Sequence, residues 1–170
     1  MNESSTEQTA SQEPAAKPEN SLPPFGEGKR VLLVEDDPTS AELVSKILTS
    51  TGFEVLTAQN GQEGWDSLKP DTMPHIIVTD FLMPEMDGFS FFKELKKNDE
   101  TKEIPILVLS ARRNTEDSFL AAGADAFHPK PLDTDRFLDQ IKKLSYRTPD
   151  HSASGEKAEN QDDDSEEKKD

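Results

Sequence analysis

A doubly wound α/β sandwich is the fold this sequence predicts, and three observations predict it. Between residues 29 and 146, short apolar runs alternate five times with stretches of helical period. Runs such as Ile76-Ile77-Val78 are β-branched with no polar alternation, as suits strands covered on both faces of a parallel sheet. The connections are short, so each helix must return the chain to a parallel strand by a right-handed crossover.

The elements follow in order. Arg30-Val-Leu-Leu-Val34 is the first strand, and it stops on Glu35-Asp36-Asp37. Asp37-Pro38 reads as an N-cap followed by proline at the first helical position. Ala41, Val44 and Leu48 then share one face, and Gly52 ends the helix. Phe53 to Thr57 is a short second strand, the least apolar, which suits a sheet edge; Asn60 to Leu68 is a short helix bounded by Pro70, with Trp65 as a packing residue. The third strand, His75 to Asp80, ends abruptly on a carboxylate. Asp87 caps a helix running to about Lys97. Its Phe89, Phe91 and Phe92 exceed one helical face, so an exposed contact patch formed by part of that cluster stands as the minority reading beside plain burial. Ile104 to Leu109 is the fourth strand, ending at Ser110; Thr115 to Ala122 is a helix stopped by Gly123. Asp125 to His128 is the fifth strand and a second edge, because Pro129 cannot complete a central ladder. Asp133 caps the last helix, which carries Phe137, Leu138, Ile141 and Leu144. His75 and His128 read as surface histidines.

Only 32% of the 170 residues are hydrophobic, too few for a chain packed throughout. Residues 1–28 are rich in Ser, Glu, Gln, Ala and Pro, and residues 147–170 run into Asp, Glu and Lys, so both read as disordered segments flanking a domain over 29–146. The net charge of −16 argues against a nucleic-acid surface, which needs clustered Lys and Arg. The absence of cysteine excludes disulfides and thiolate metal sites. No apolar stretch is long enough to span a bilayer and residues 1–28 are too polar for a signal peptide, so a cytoplasmic location is expected.

In such a sheet all strand carboxyl ends share one rim, where open α/β folds bind ligands. That rim should receive Glu35, Asp36 and Asp37 from the first strand, Asp80 from the third, Ser110 from the fourth and Lys130 beyond the fifth. Carboxylates without nearby thiols form a hard oxygen site suited to Mg²⁺ or Mn²⁺. Together with an ammonium and a hydroxyl, they can stabilise the charge of a transferring phosphoryl group.

Four segments carry a resemblance: Arg30 to Pro38, Asp80-Phe-Leu-Met-Pro-Glu-Met-Asp-Gly88, Ile104 to Ala111, and Gly123-Ala-Asp-Ala-Phe-His-Pro-Lys-Pro131. In their order and spacing they closely resemble the receiver domain of two-component response regulators, over residues 29 to about 146. The resemblance implies the flavodoxin-like strand order 2-1-3-4-5. It implies that Asp80 is the phosphoacceptor, taking the group from a histidine kinase or a histidine phosphotransfer protein. Asp36, Asp80 and the Leu82 backbone carbonyl would hold Mg²⁺, with Glu35 acting through water. Ser110 and Lys130 would bind the phosphoryl group, and the Lys130-Pro131 bond would be cis. Ser110 and Phe127 would form the switch, Ser110 moving toward the phosphoryl group and Phe127 turning inward, which alters the face of the fourth helix, fifth strand and fifth helix for a protein effector. Assembly as a dimer through the last two helices is also open to such domains. Glu35 stands where aspartate is usual, Phe127 lacks the hydroxyl of the more frequent tyrosine, and Pro129 stiffens the lysine loop. Leu82 and Arg112 sit where the family tunes the lifetime of the phosphoryl group.

Too few residues follow 146 for an output module, so a stand-alone receiver is expected. A phosphate sink with no effector is its chemical equal. A small Mg²⁺-dependent aspartyl-phosphate hydrolase would need an acid/base carboxylate two residues past Asp80, where Leu82 stands.

Overall fold

The computed structural model describes residues 25–147. Five strands, β1 (Arg30–Val34), β2 (Glu54–Ala58), β3 (Ile76–Asp80), β4 (Ile106–Ser110) and β5 (Ala126–Pro129), form one parallel sheet in the order β2-β1-β3-β4-β5. They alternate with α1 (Pro38–Ser50), α2 (Gly61–Asp66), α3 (Gly88–Lys97), α4 (Glu116–Ala121) and α5 (Thr134–Ser145). The expected fold and strand order are the observed ones, with the two polar or proline-bearing strands at the edges. Boundaries shift where the backbone dictates. β4 starts at Ile106 rather than Ile104, because Pro105 has no N–H and contributes only its carbonyl, which accepts from Ile77 N at 3.0 Å.

Four helices begin the same way. The carboxylate or amide of Asp37, Asn60, Asp87 and Asp133 accepts from the N–H three residues on, at 2.7, 2.8, 2.7 and 3.1 Å. Each cap is worth about 1 kcal/mol, and it fixes where the chain leaves the rim to start its return.

Because side chains alternate across a strand, the sheet feeds two cores. Leu32, Val34, Ile77, Ile106 and Val108 pack with Phe91, Phe92, Leu95 and Phe119 on the α2, α3 and α4 side. Val31, Leu33, Ile76, Val78, Leu107 and Leu109 pack with Val44, Leu48, Phe137, Ile141 and Leu144 on the α1 and α5 side.

One reading is settled and two expectations are corrected. The α3 phenylalanines make no open patch: Phe91 and Phe92 are fully buried and Phe89 is half-buried, edge-on to Phe119. Phe91 can turn in because α2 presents glycine to it. A Cβ on Gly61 would stand 2.8 Å from the Phe91 Cβ, and one on Gly64 3.2 Å from its ring. Neither described histidine is on the surface. The His75 Nδ1 accepts from Arg30 N at 3.0 Å, and His128 is wholly buried. The ordered chain also begins before residue 29: Phe25 stacks edge-on against Phe53 and Gly26 N donates to Thr51 O at 3.0 Å. The remainder of the two flanking segments expected from composition lies outside the described residues. At the amino-end pole of the sheet the ends of the described chain meet. The Lys29 ammonium donates to the Ser145 carbonyl and lies 5.8 Å over the Tyr146 ring.

Candidate functional site

The carboxyl rim is stitched by one backbone bond just beyond each of β1, β3 and β5. Glu35 N donates to Ala58 O (3.0 Å), Phe81 N to Leu109 O (3.0 Å) and Lys130 N to Ser110 O (2.8 Å). These bonds bring Glu35, Asp80 and Lys130 together from positions far apart in sequence. The Lys130 ammonium lies 2.6 Å from Asp80 Oδ2 and 2.8 and 3.0 Å from the two Glu35 oxygens. Asp80 Oδ1 accepts from Phe81 N and, more weakly, from Leu82 N at 3.4 Å. Ser110 is buried beside them, its Oγ accepting from Arg112 N at 3.0 Å.

Two helix-side details hold Asp80 in place. Thr79 Oγ1 donates to the Asp80 carbonyl at 3.0 Å. Gly88, at the start of α3, packs against that same carbonyl so closely that a Cβ there would fall far inside contact distance of its oxygen and 3.0 Å from the Phe81 Cα. The loop between is held by Gly88 N donating to Phe81 O at 3.0 Å, with Glu85 in the left-handed region at φ 62°.

Electrostatically the rim is a buried acid group with one base. Burial pushes the Glu35 carboxyl above its ordinary value and the Asp80 charge adds to this, against the opposing pull of Lys130. Burial alone would lower the Lys130 ammonium, but its bonds to Asp80 and Glu35 outweigh that and raise it. Asp37 faces water, and the Ser40 N–H holds its carboxyl below the usual range, as a helix cap requires.

Glu35, Asp36 and Asp80 each offer one carboxylate oxygen, all within 4.8 Å of one another. Glu35 and Asp80 are buried and Asp36 is exposed, an all-oxygen set open on one side that fits a small hard cation. Leu82, whose carbonyl was expected in this set, is 49% exposed, two residues beyond Asp80. Phe127 is the departure from expectation. Its ring is already buried, lying 6.4 Å from Phe119 at 32°, and without a hydroxyl it has no bond to water to draw it outward. The Lys130-Pro131 peptide is cis. Sequence reasoning passed over Thr79 and Gly88, which carry no charge, and Gln140, whose bonds cross from helix to strand, and it read the buried His128 as a surface residue.

An acidic rim bridged by one lysine thus lies at the carboxyl ends of a parallel sheet of order β2-β1-β3-β4-β5. The family model for the response regulator receiver domain matches residues 31–142, and the chain belongs to that family of two-component signalling proteins. It is 33% identical to the DNA-binding dual master transcriptional regulator RpaA of Synechocystis over 70% of this chain and 50% of that protein. It is 31% identical to the polar-differentiation response regulator DivK of Brucella anthropi over 67% of this chain and 94% of that protein. Among solved structures, response regulator TrrA of Thermotoga maritima in complex with Mg²⁺-BeF is 28% identical with a TM-score of 0.62, over 68% of this chain and 98% of that one. The chain spans about half the length of the first curated relatives it matches. Among the described residues no helix is long and apolar enough to cross a membrane.

Proposed function

We propose that Asp80 accepts a phosphoryl group from a phosphohistidine on a histidine kinase or phosphotransfer protein, and that the receiver then passes the change to a protein effector. The observation that carries this reading is the position of Asp80: 8% exposed at the end of β3, with Lys130 on one oxygen and the carboxylates of Glu35 and Asp36 alongside.

Asp36, Asp80 and the Leu82 carbonyl would hold Mg²⁺ or Mn²⁺, with Glu35 reached through water, a division supported by the Lys130 ammonium already occupying both Glu35 oxygens. When bound, the ion offsets the negative charge of the phosphoryl oxygens. An Asp80 carboxylate oxygen attacks phosphorus and forms the acyl phosphate. The P–N bond of the donor breaks, and its electron pair stays on the imidazole nitrogen. Lys130 shifts from bridging two carboxylates to pairing with the new group, which adds roughly −1.5 to −2 charges. The Ser110 hydroxyl donates to a phosphoryl oxygen. Since Phe127 is already inward, the change passes through Ser110, whose carbonyl holds the Lys130 N–H, to the loop between β5 and α5.

The receiver unit comprises residues 29–146, with Phe25 and Gly26 packed on it and the flanking acidic segments outside the chemistry. Action without an attached output module is supported by the match to nearly the whole of DivK. Regulated dimerisation through α4 and α5 remains part of the same proposal. Acetyl phosphate with Mg²⁺ tests it by intact mass. Wild-type protein should gain one PO₃ unit, and Asp80→Asn none; a base-labile label persisting on Asp80→Asn would assign the acceptor elsewhere.

A further inference from the structure

The loop that carries Lys130 to the rim has unusual fastenings. Of the residues between His128 and Asp133, Pro129 and Pro131 have no N–H to give. The Lys130 N–H goes to Ser110 O at 2.8 Å, and the Asp133 N–H, at the α5 cap, goes to the His128 Nε2 at 3.1 Å. An imidazole nitrogen that accepts from an amide carries no hydrogen. The ring hydrogen is therefore on Nδ1, which donates to Gln140 Oε1 at 2.8 Å. The Gln140 amide in turn donates to the Phe127 carbonyl at 2.9 Å. The ring is wholly buried and set edge-on to Phe137 at 5.7 Å and 79°. Leucine would fill such a space as well, but it would leave the Asp133 N–H and the Gln140 amide oxygen without these partners.

We infer that His128 is a positioning residue: a neutral imidazole that ties the Lys130 loop and strand β5 to α5, placing the ammonium at Asp80 and passing its displacement to the helix. This rests on the proposed role of Asp80. When Lys130 moves toward a phosphoryl oxygen, its loop is held at one end by strand pairing and at the other by the His128–Asp133 bond. The strain therefore reaches the α5 cap and, through Gln140, the middle of that helix.

Labelling by acetyl phosphate and amide shifts on adding beryllofluoride with Mg²⁺ test this on the full chain. His128→Leu should lower the labelling rate on the order of tenfold, the scale of a misplaced catalytic group, with Mg²⁺ affinity unchanged. His128→Gln, whose amide oxygen can take the Asp133 N–H, should recover most of the rate. Gln140→Leu should keep the rate but shrink the beryllofluoride shifts over residues 134–145. Wild-type rates in His128→Leu, or full α5 shifts in Gln140→Leu, would overturn the inference. Should His128→Leu fail to fold, the ring nitrogens of the wild-type protein decide. A hydrogen-free Nε2 coupled to the Asp133 N–H is expected, and a hydrogen on Nε2 would refute the arrangement. Wild-type protein that takes no phosphoryl group would instead overturn the role of Asp80, with the ring spectrum unaffected.

Discussion

Replacing Gly88 by alanine tests whether the α3 start is built against the acceptor strand. A Cβ at Gly88 would overlap the Asp80 carbonyl oxygen and stand 3.0 Å from the Asp80 carbonyl carbon and the Phe81 Cα, all backbone atoms that no rotamer change can move aside. Overpacking of this kind costs about 3 kcal/mol at the upper end of its usual range. Parting the two segments also loosens the bond from Gly88 N to Phe81 O, worth about 1 kcal/mol. The better helix propensity of alanine returns at most about 1 kcal/mol. A net loss of about 3 kcal/mol corresponds to a fall in melting temperature of roughly 12 °C for a domain of this size. Circular dichroism melts of wild type and Gly88→Ala measure it. Gly123→Ala is the control, since its added methyl meets nothing within 4 Å and only its positive φ of 101° is strained. A Gly88→Ala drop no larger than that of Gly123→Ala would refute the close-approach argument.

Three further outcomes are expected. The Lys130 ammonium is held above its ordinary value, so its contribution to stability is complete below the usual lysine range and is lost as pH rises through the raised value. With chelator present, wild type should be more stable than Lys130→Met near pH 8, the gap closing in strong alkali; a gap constant with pH would contradict the ion-pair assignment. Mg²⁺ should raise the melting temperature of wild type by mass action, by about 2.7 kcal/mol of added stability at a hundredfold excess over its Kd. Asp36→Asn should lose most of that rise, and an undiminished response would remove Asp36 from the cation site. Glu85→Ile should lower stability by about 1–2 kcal/mol, because a β-branched residue resists φ 62°, whereas Glu85→Gly should not; equal denaturant midpoints for the two variants would count against strain there.

The strands and the acidic rim were legible because apolar runs stopping on Glu35, Asp80 and Ser110 state both the period and the place where it ends. The helix starts were legible because Asp37, Asn60, Asp87 and Asp133 are caps whose chemistry is local. What could not be read was contact across elements. The burial of Phe91 depends on Gly61 and Gly64 of another helix, and a period within α3 contains no record of them. A lone histidine has no period at all, so the inward place of His128 emerges only when Gln140 and Asp133 arrive beside it. The inward turn of Phe127 was expected only from the resemblance, and that its ring already lies against Phe119 is again a contact across elements that no period records.

The contact of Lys29 with Ser145 and Tyr146 places entrance and exit of the domain side by side, at the pole away from Asp80. A short peptide could join them, so the gene can be cut and rejoined at a surface loop with the sheet order kept. A reporter joined directly at Phe25 or Arg147 would start at the pole away from Asp80, and a pair of reporters, one on each, would start within reach of one another.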